Sequence, residues 1–310
     1  RTVLRPLRGL LRRRGLWLFV FGLAHAALLL ASEILATYGL LSLLLVGAFI
    51  NRRDRTLLIA GAVGAGIIAV GYLASALPLV TGAAEVPSGP QGAGPIADLS
   101  GVGADSYPAS ILPRLATWGS LLLIGVLGLV MATAMLLGMW AARQRFLEEP
   151  HRHLRLLATT AIVGIGIGLT GSLPPVLSSL EAEHFMESTH GLLLFSLQWT
   201  SGLAGGLGYV GLFGLLGHWL SGRASRSASI TAVTALGKRS LSGYLTHSML
   251  MAPLLAAWGL GLGAELSIAE MMGFGFALWL LTVVIADLLE RRGRRGPFEV
   301  LLRRLVYGKG

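Results

Sequence analysis

The chain has 310 residues, of which 54% are hydrophobic and 13% charged, whereas a soluble domain usually carries about 25% charged residues. That balance excludes a soluble globular class and leaves a membrane protein. The net charge of +10 does not point to nucleic acid, because the basic residues sit in short clusters between apolar runs rather than on one contiguous surface. With no Cys, disulfides and thiolate metal sites are excluded.

Apolar runs long enough to cross a hydrocarbon core of about 30 Å predict an all-α fold, a polytopic transmembrane helix bundle of about eight spans forming one domain over residues 1–310. The first span, from Gly15 to Ala31, follows the basic cluster Arg12, Arg13 and Arg14 and carries His25. A tight connection at Ser32 and Glu33 leads into the second, Ile34 to Ile50, so the two form a helical hairpin. No short apolar run ending in a cleavage site precedes them, and no signal peptide is expected. The third span, Leu57 to Val80, has Gly61, Gly64 and Ala65 at spacings that let helices pack closely.

From Thr81 to Arg114 the composition shifts to Gly, Pro, Ser and Asp, with Pro87, Pro90, Pro95, Pro108 and Pro113, which predicts a long loop. The fourth span, Leu115 to Trp140, runs into a mixed-charge connector from Ala142 to Arg155. The fifth, Leu156 to Leu173, ends at Pro174 and Pro175. The connector after it holds Glu181, Glu183, His184, Glu187 and His190, whose spacing matches no defined metal site and predicts an acidic solvated loop.

The sixth span, Leu192 to Leu220, has glycine at 202, 205, 208, 211, 214 and 217. A three-residue repeat drifts by about 60° per step, so these glycines should wind around the helix. They predict close contacts on several sides, or else the wall of a substrate cavity. The seventh span runs from Ala235 to Trp258 and the eighth from Ile268 to Leu289, followed by a basic tail at 291–310.

Placing both termini in the cytoplasm puts every Lys and Arg except Arg114 on the inside, as the positive-inside tendency requires. The 81–114 loop is then extracytoplasmic, and the outer connectors are acidic.

Two stretches could carry chemistry. His25 lies in the outer half of the first span and Glu33 at its outer end. On a continuous helix they would point about 80° apart, separated by about 12 Å along the axis, and would not touch. An ionisable group inside a membrane is a functional candidate by default, and His can act as base or proton carrier near neutral pH. The alternative is that His25 bonds a neighbouring helix while Glu33 caps the second span. In the seventh span, Ser240, Tyr244 and His247 share one helix face, which must meet protein or a wet cavity. Lys238 and Arg239 enter at the inner mouth, suited to the phosphates of a nucleotide-type donor or to a role as topological charges. No phosphate-binding loop, dinucleotide fingerprint or nucleophile elbow is present.

Four anchors in order resemble the YeiB family of bacterial inner-membrane proteins. GLAHAALLLASEILATYGL, Gly22 to Leu40, is similar to the family's Gly-x-x-His followed by an acidic residue, Ile-Leu and Tyr, with Glu33 where Asp is usual and Tyr38 at the Tyr. LLGMWAARQRFLEEPHRHLR, Leu136 to Arg155, is also similar. LGKRSLSGYLTHS, Leu236 to Ser248, resembles Gly-Arg-x-x-Leu-Thr-x-Tyr-Leu-x-Gln, with Lys238, Ser242 and His247 in place of Arg, Thr and Gln. GPFEVLLRRLVYG, Gly296 to Gly308, resembles the family's Gly-Pro-x-Glu-x-x-x-Arg close. Family members carry further spans ahead of the His-containing helix, so the chain is expected to be an N-terminally incomplete copy.

The resemblance implies a multi-pass protein of the bacterial cell (inner) membrane, related to membrane acyltransferases that pass an acyl group from cytoplasmic acyl-CoA to an extracytoplasmic sugar or lipid. On that reading His25 is the base and Glu33 its partner, while Tyr38, Lys238, Arg239, Ser240, Tyr244 and His247 bind substrate. No bound cofactor or metal is expected. The partners are the lipid bilayer, acyl-CoA, a glycan or lipid acceptor and, compatibly, a second copy of the chain, with no nucleic acid. The alternatives are a transporter or exporter of a small or lipidic solute with His25 and His247 proton-coupled, and a non-catalytic membrane subunit.

Overall fold

The structure, a computed structural model, describes residues 4–81, 101–181, 189–221 and 227–308. Every regular element among them is helical. In chain order these are α1 (Leu4–Leu28), α2 (Leu35–Phe49), α3 (Asp54–Val80), α4 (Tyr107–Leu127), α5 (Val130–Arg143) and, after a 3-10 turn at Pro150–Arg152, α6 (Leu154–Glu181). Then come α7 (Thr189–Leu220), α8 (Ala228–Gly237), α9 (Ser240–Leu255), the short α10 (Leu262–Glu265), α11 (Ile268–Arg291) and α12 (Pro297–Tyr307).

Five segments, Asp54–Gly71, Tyr107–Leu127, Leu154–Leu173, Thr200–Leu220 and Ile268–Arg291, are long and apolar enough to cross a membrane. They fall on the expected third, fourth, fifth, sixth and eighth spans. Their outward sides are apolar, as with Ile59, Val63, Ile67 and Val70 on α3 and Leu281, Val284, Ile285 and Leu288 on α11, all well exposed. Such surface suits lipid and not water. The chain is an integral membrane protein.

The remaining expected spans take other forms. Helix α1 starts at Leu4, ahead of the Arg12 to Arg14 cluster, and α2 has 15 residues. The seventh span is interrupted near its start, where the backbone leaves the helix at Arg239, so that most of it is α9 and its first residues end α8. The fourth is broken as well, since Leu129 adopts φ 61°, a left-handed conformation that interrupts the helical ladder between α4 and α5. The expected loop also ends early. Residues 107–114 already belong to α4, with Pro108 in the first turn, where a missing N–H costs nothing. Proline content therefore disguised the start of a helix. Glu183, His184 and Glu187 lie outside the described residues, and no cluster of three potential metal ligands occurs among the described ones.

The chain divides into two compact units. The first comprises Arg1–Ile50, Gly92–Val126 and Arg223–Gly310. In it α1 and α2 form the expected hairpin, so close that a Cβ on Gly15 would lie 2.9 Å from the Gly39 carbonyl oxygen. Helix α11 packs on α8 and α9, and α12 packs on α1 and α9. A reciprocal capping box at Ser267 and Glu270 starts α11.

The second unit comprises Asn51–Gln91 and Leu127–Gly222 and is dominated by α6 against α7. The glycine repeat winds across the contact face with α6. A Cβ on Gly208 would meet the Ile165 backbone nitrogen at 2.5 Å, and one on Gly211 the Leu157 carbonyl at 2.6 Å. Gly205 in turn faces Gly168, so three successive glycines of the repeat form one seam toward α6, while Gly202 and Gly217 meet nothing within 4 Å. Two steps of the repeat turn through only about 120°, within the width of one contact face. In lipid, where apolar surface gains little from burial against protein, this close backbone approach is the main source of packing energy. Gly208→Leu should therefore lower stability by about 1–3 kcal/mol through overpacking. Gly202→Ala should leave it unchanged or slightly raised, which thermal unfolding of the detergent-purified variants measures.

Candidate functional site

The site lies in the first unit and begins where α1 stops. The His25 carbonyl accepts from the Leu29 and Leu30 amides at 2.8 and 3.2 Å, closing the last turn of α1. The chain then reverses through Ala31 and Ser32, so Glu33 returns alongside α1. A Cβ on Gly22 would lie 2.6 Å from Glu33 Oε2. The continuous-helix estimate, which put Glu33 beyond His25, is corrected by this turn.

Glu33 is fully engaged. Its carboxylate accepts from the Ala36 amide at 3.2 and 3.0 Å, capping the N-terminus of α2. Trp118 on α4 donates its indole N–H to Oε1 at 2.7 Å, and the Trp118 ring packs against Phe19.

His25 is the opposite case. It is 3% exposed, and neither ring nitrogen has a hydrogen-bond partner. The Leu30 backbone lies close to the ring. The imidazole stacks on Tyr244 of α9, with centroids 5.4 Å apart and planes at 24°. The Tyr244 phenol in turn lies against the Ile34 backbone and within electrostatic reach of Glu33. His25 and Glu33 are thus both brought near Tyr244. An unbonded buried polar group costs about 1–3 kcal/mol, so a ring with two of them is a costly feature.

The arrangement is held by a residue that composition assigned to a loop. Arg114 is 1% exposed, and its guanidinium donates to the Leu29 and Ala27 carbonyls at 3.1 and 3.0 Å. Tyr107 donates to Leu28 at 2.8 Å. Three orphan carbonyls at the end of α1 are thereby satisfied from α4. The cation lies over the Tyr107 and Trp258 rings, at 5.0 and 5.9 Å, and those rings meet edge to face. In the sequence the only signal was that Arg114 stood alone among basic residues.

Of the other predicted residues, Lys238, Arg239 and Ser240 lie at the break between α8 and α9. Lys238 and Arg239 both pair with Glu290 of α11, at 2.6 and 2.7 Å, and Arg239 also donates to the Ala235 and Arg294 carbonyls. This pairing weakens the pull of either cation on a phosphate. Ser242 and Glu299 lock α9 to α12. Glu299 accepts from the Ser242 amide at 2.9 Å and from its hydroxyl, while the Ser242 hydroxyl accepts from the Phe298 amide at 3.1 Å. Each helix thus caps the other. Ser240 and Tyr38 are exposed. His247 bonds through Nδ1 to the Gly243 carbonyl of its own helix, at 2.8 Å, and no ring contact or hydrogen bond joins it to His25 or Glu33. Arg114→Gln should cost about 1.5–3 kcal/mol, the scale of hydrogen bonds from a charged group. Arg114→Lys should recover little of it, because an ammonium cannot reach both carbonyls and stack between two rings; thermal unfolding of both variants checks this.

A protein of Bacillus subtilis, described as uncharacterized protein YxaH, is 26% identical over 304 residues, covering 95% of this chain and 71% of its own. No solved structure matches significantly. The family described as "Protein of unknown function (DUF418)" matches residues 141–309, which include α9, α11 and α12 with the Ser242 to Glu299 lock and the Glu290 pairings. The chain belongs to the DUF418 family and is a YeiB-type member of it.

Proposed function

We propose that this is a membrane-bound acyl-transfer enzyme of the bacterial cell (inner) membrane, with both termini cytoplasmic. It takes an acyl group from cytoplasmic acyl-CoA and transfers it to a hydroxyl of an extracytoplasmic sugar or lipid. The observation that carries this reading is the His25 ring, buried, unbonded at both nitrogens and stacked on Tyr244. An imidazole whose nitrogens hold no protein hydrogen bond is suited, in its neutral form, to removing a proton from an incoming hydroxyl. The hydroxyl oxygen forms the new ester bond to the acyl carbon as the thioester C–S bond breaks. His25 then returns the proton to the leaving thiolate. Glu33, bonded to the Ala36 amide and the Trp118 indole, holds the α1–α2 turn in place, and no cofactor or metal is called for.

The donor side is assigned to Lys238 and Arg239 with Ser240, Tyr244 and His247, and the acceptor side to Tyr38. Purified protein should bind acyl-CoA, and Lys238→Ala should weaken that binding; Lys238 is solvent-facing, so this variant leaves the core intact. His25→Gln should lower transfer by about 10²–10⁴ with donor binding unchanged, the range lost with a general base. Absence of binding at millimolar acyl-CoA overturns the reading.

One observation favours transport of a solute instead. Two expected spans are discontinuous, at Leu129 and at Lys238 to Arg239, and broken helices recur at the substrate sites of transporters. Proteoliposome flux that depends on a pH gradient and disappears in His25→Gln would replace the enzymatic reading with this one.

A further inference from the structure

Between α8–α9 and α11 runs a groove of about 370 Å³, within the range of about 300–1,000 Å³ typical of ligand sites. Its walls are apolar, from Leu236, Ile285, Ala286 and Leu289, and its end carries Arg294 and Arg295. A second cleft of about 360 Å³, lined by the same two arginines with Lys238 and Glu290, adjoins it. Arg239 lines both, is 5% exposed, and keeps its Nε unpartnered.

The charges facing this place do not cancel. Glu290 is taken by Lys238 and Arg239, and Glu299 by Ser242 and its amide. Among the described residues, Arg294 and Arg295 have no carboxylate partner. Ile285 is both a wall of the groove and part of the exposed apolar side of α11, so the groove opens toward lipid. Its basic end is level with the last turn of a membrane-crossing helix, where headgroups lie.

We infer that this groove is a binding site for one anionic phospholipid of the bilayer, an acyl chain lying along Leu236, Ile285 and Leu289 and the headgroup phosphate on Arg294 and Arg295. The bidentate fork of Arg suits phosphate oxygens. The occupant is taken to be a bilayer lipid rather than a soluble phosphate, because the apolar wall is continuous with the lipid-facing surface. This inference does not depend on the acyl-transfer reading, and Lys238→Ala and His25→Gln test only the latter.

Native mass spectrometry of the detergent-purified chain, titrated with dioleoylphosphatidylglycerol, dioleoylphosphatidylcholine and palmitoyl-CoA, tests it. The expected result is one phosphatidylglycerol adduct, favoured at least about fivefold over phosphatidylcholine, as charge-assisted hydrogen bonds would give. Arg294→Gln with Arg295→Gln should remove that preference. Arg303→Gln with Arg304→Gln, which removes the same charge from α12 outside the groove, should keep it. All four side chains are exposed, so both variants should fold. Equal binding of the two lipids, or equal loss in the two double variants, overturns the site. So does an adduct of palmitoyl-CoA alone that depends on Arg294 and Arg295.

Discussion

The first unit depends on one buried cation. Arg114 sits at the negative end of α1, bonded to two of its last carbonyls and enclosed by Tyr107 and Trp258, with no carboxylate beside it among the described residues. Desolvating such a group costs several kcal/mol. A partly buried helix terminus returns up to about 2 kcal/mol, and each desolvated cation–π contact a comparable amount. The cation is therefore tolerable only in this position. Because it fixes where α1 ends, it also fixes where the chain turns back and where Glu33 arrives.

That turn makes the candidate site. With α1 stopped at Leu28, Glu33 can reach both the first turn of α2 and the indole of Trp118, and Ile34 can come against Tyr244. His25 is left in the last turn of α1 with its ring on Tyr244 and its nitrogens unbonded. One carboxylate is spent on structure while one imidazole is withheld from it. The asymmetry makes His25 the reactive group of the proposed chemistry and Glu33 a positioning residue. The same division recurs at the α8–α9 break, where Lys238 and Arg239 are tied to Glu290 while Arg294 and Arg295 stand free at the mouth of an apolar groove.

The helical, membrane-embedded class was legible from composition and run length, as were the α1–α2 hairpin and the cap role open to Glu33. His25 was legible because an imidazole within an apolar run is conspicuous. What escaped was anything dependent on backbone breaks. Leu129 has no sequence mark of a left-handed residue, and Pro108 and Pro113 concealed the first turns of α4, so Arg114 and Trp118 were not connected with His25 and Glu33. The drift of the glycine repeat was also legible, since Gly205, Gly208 and Gly211 cross the face toward α6 while Gly202 and Gly217 lie off it; which face they met was not. Ser242 and Glu299 were visible only as parts of two separate motifs, and 57 residues of chain separate groups that cap each other's helices.

The proposed chemistry rests on the two His25 ring nitrogens holding no protein hydrogen bond, so that one of them can meet a substrate. A high-resolution cryomicroscopy map of the chain in lipid nanodiscs, recorded with acyl-CoA present, examines it most directly. Non-protein density within hydrogen-bond reach of a His25 ring nitrogen is expected, with the ring still stacked on Tyr244. A ring nitrogen bonded to a neighbouring backbone or side-chain group, with only lipid tails around the remainder, would contradict it.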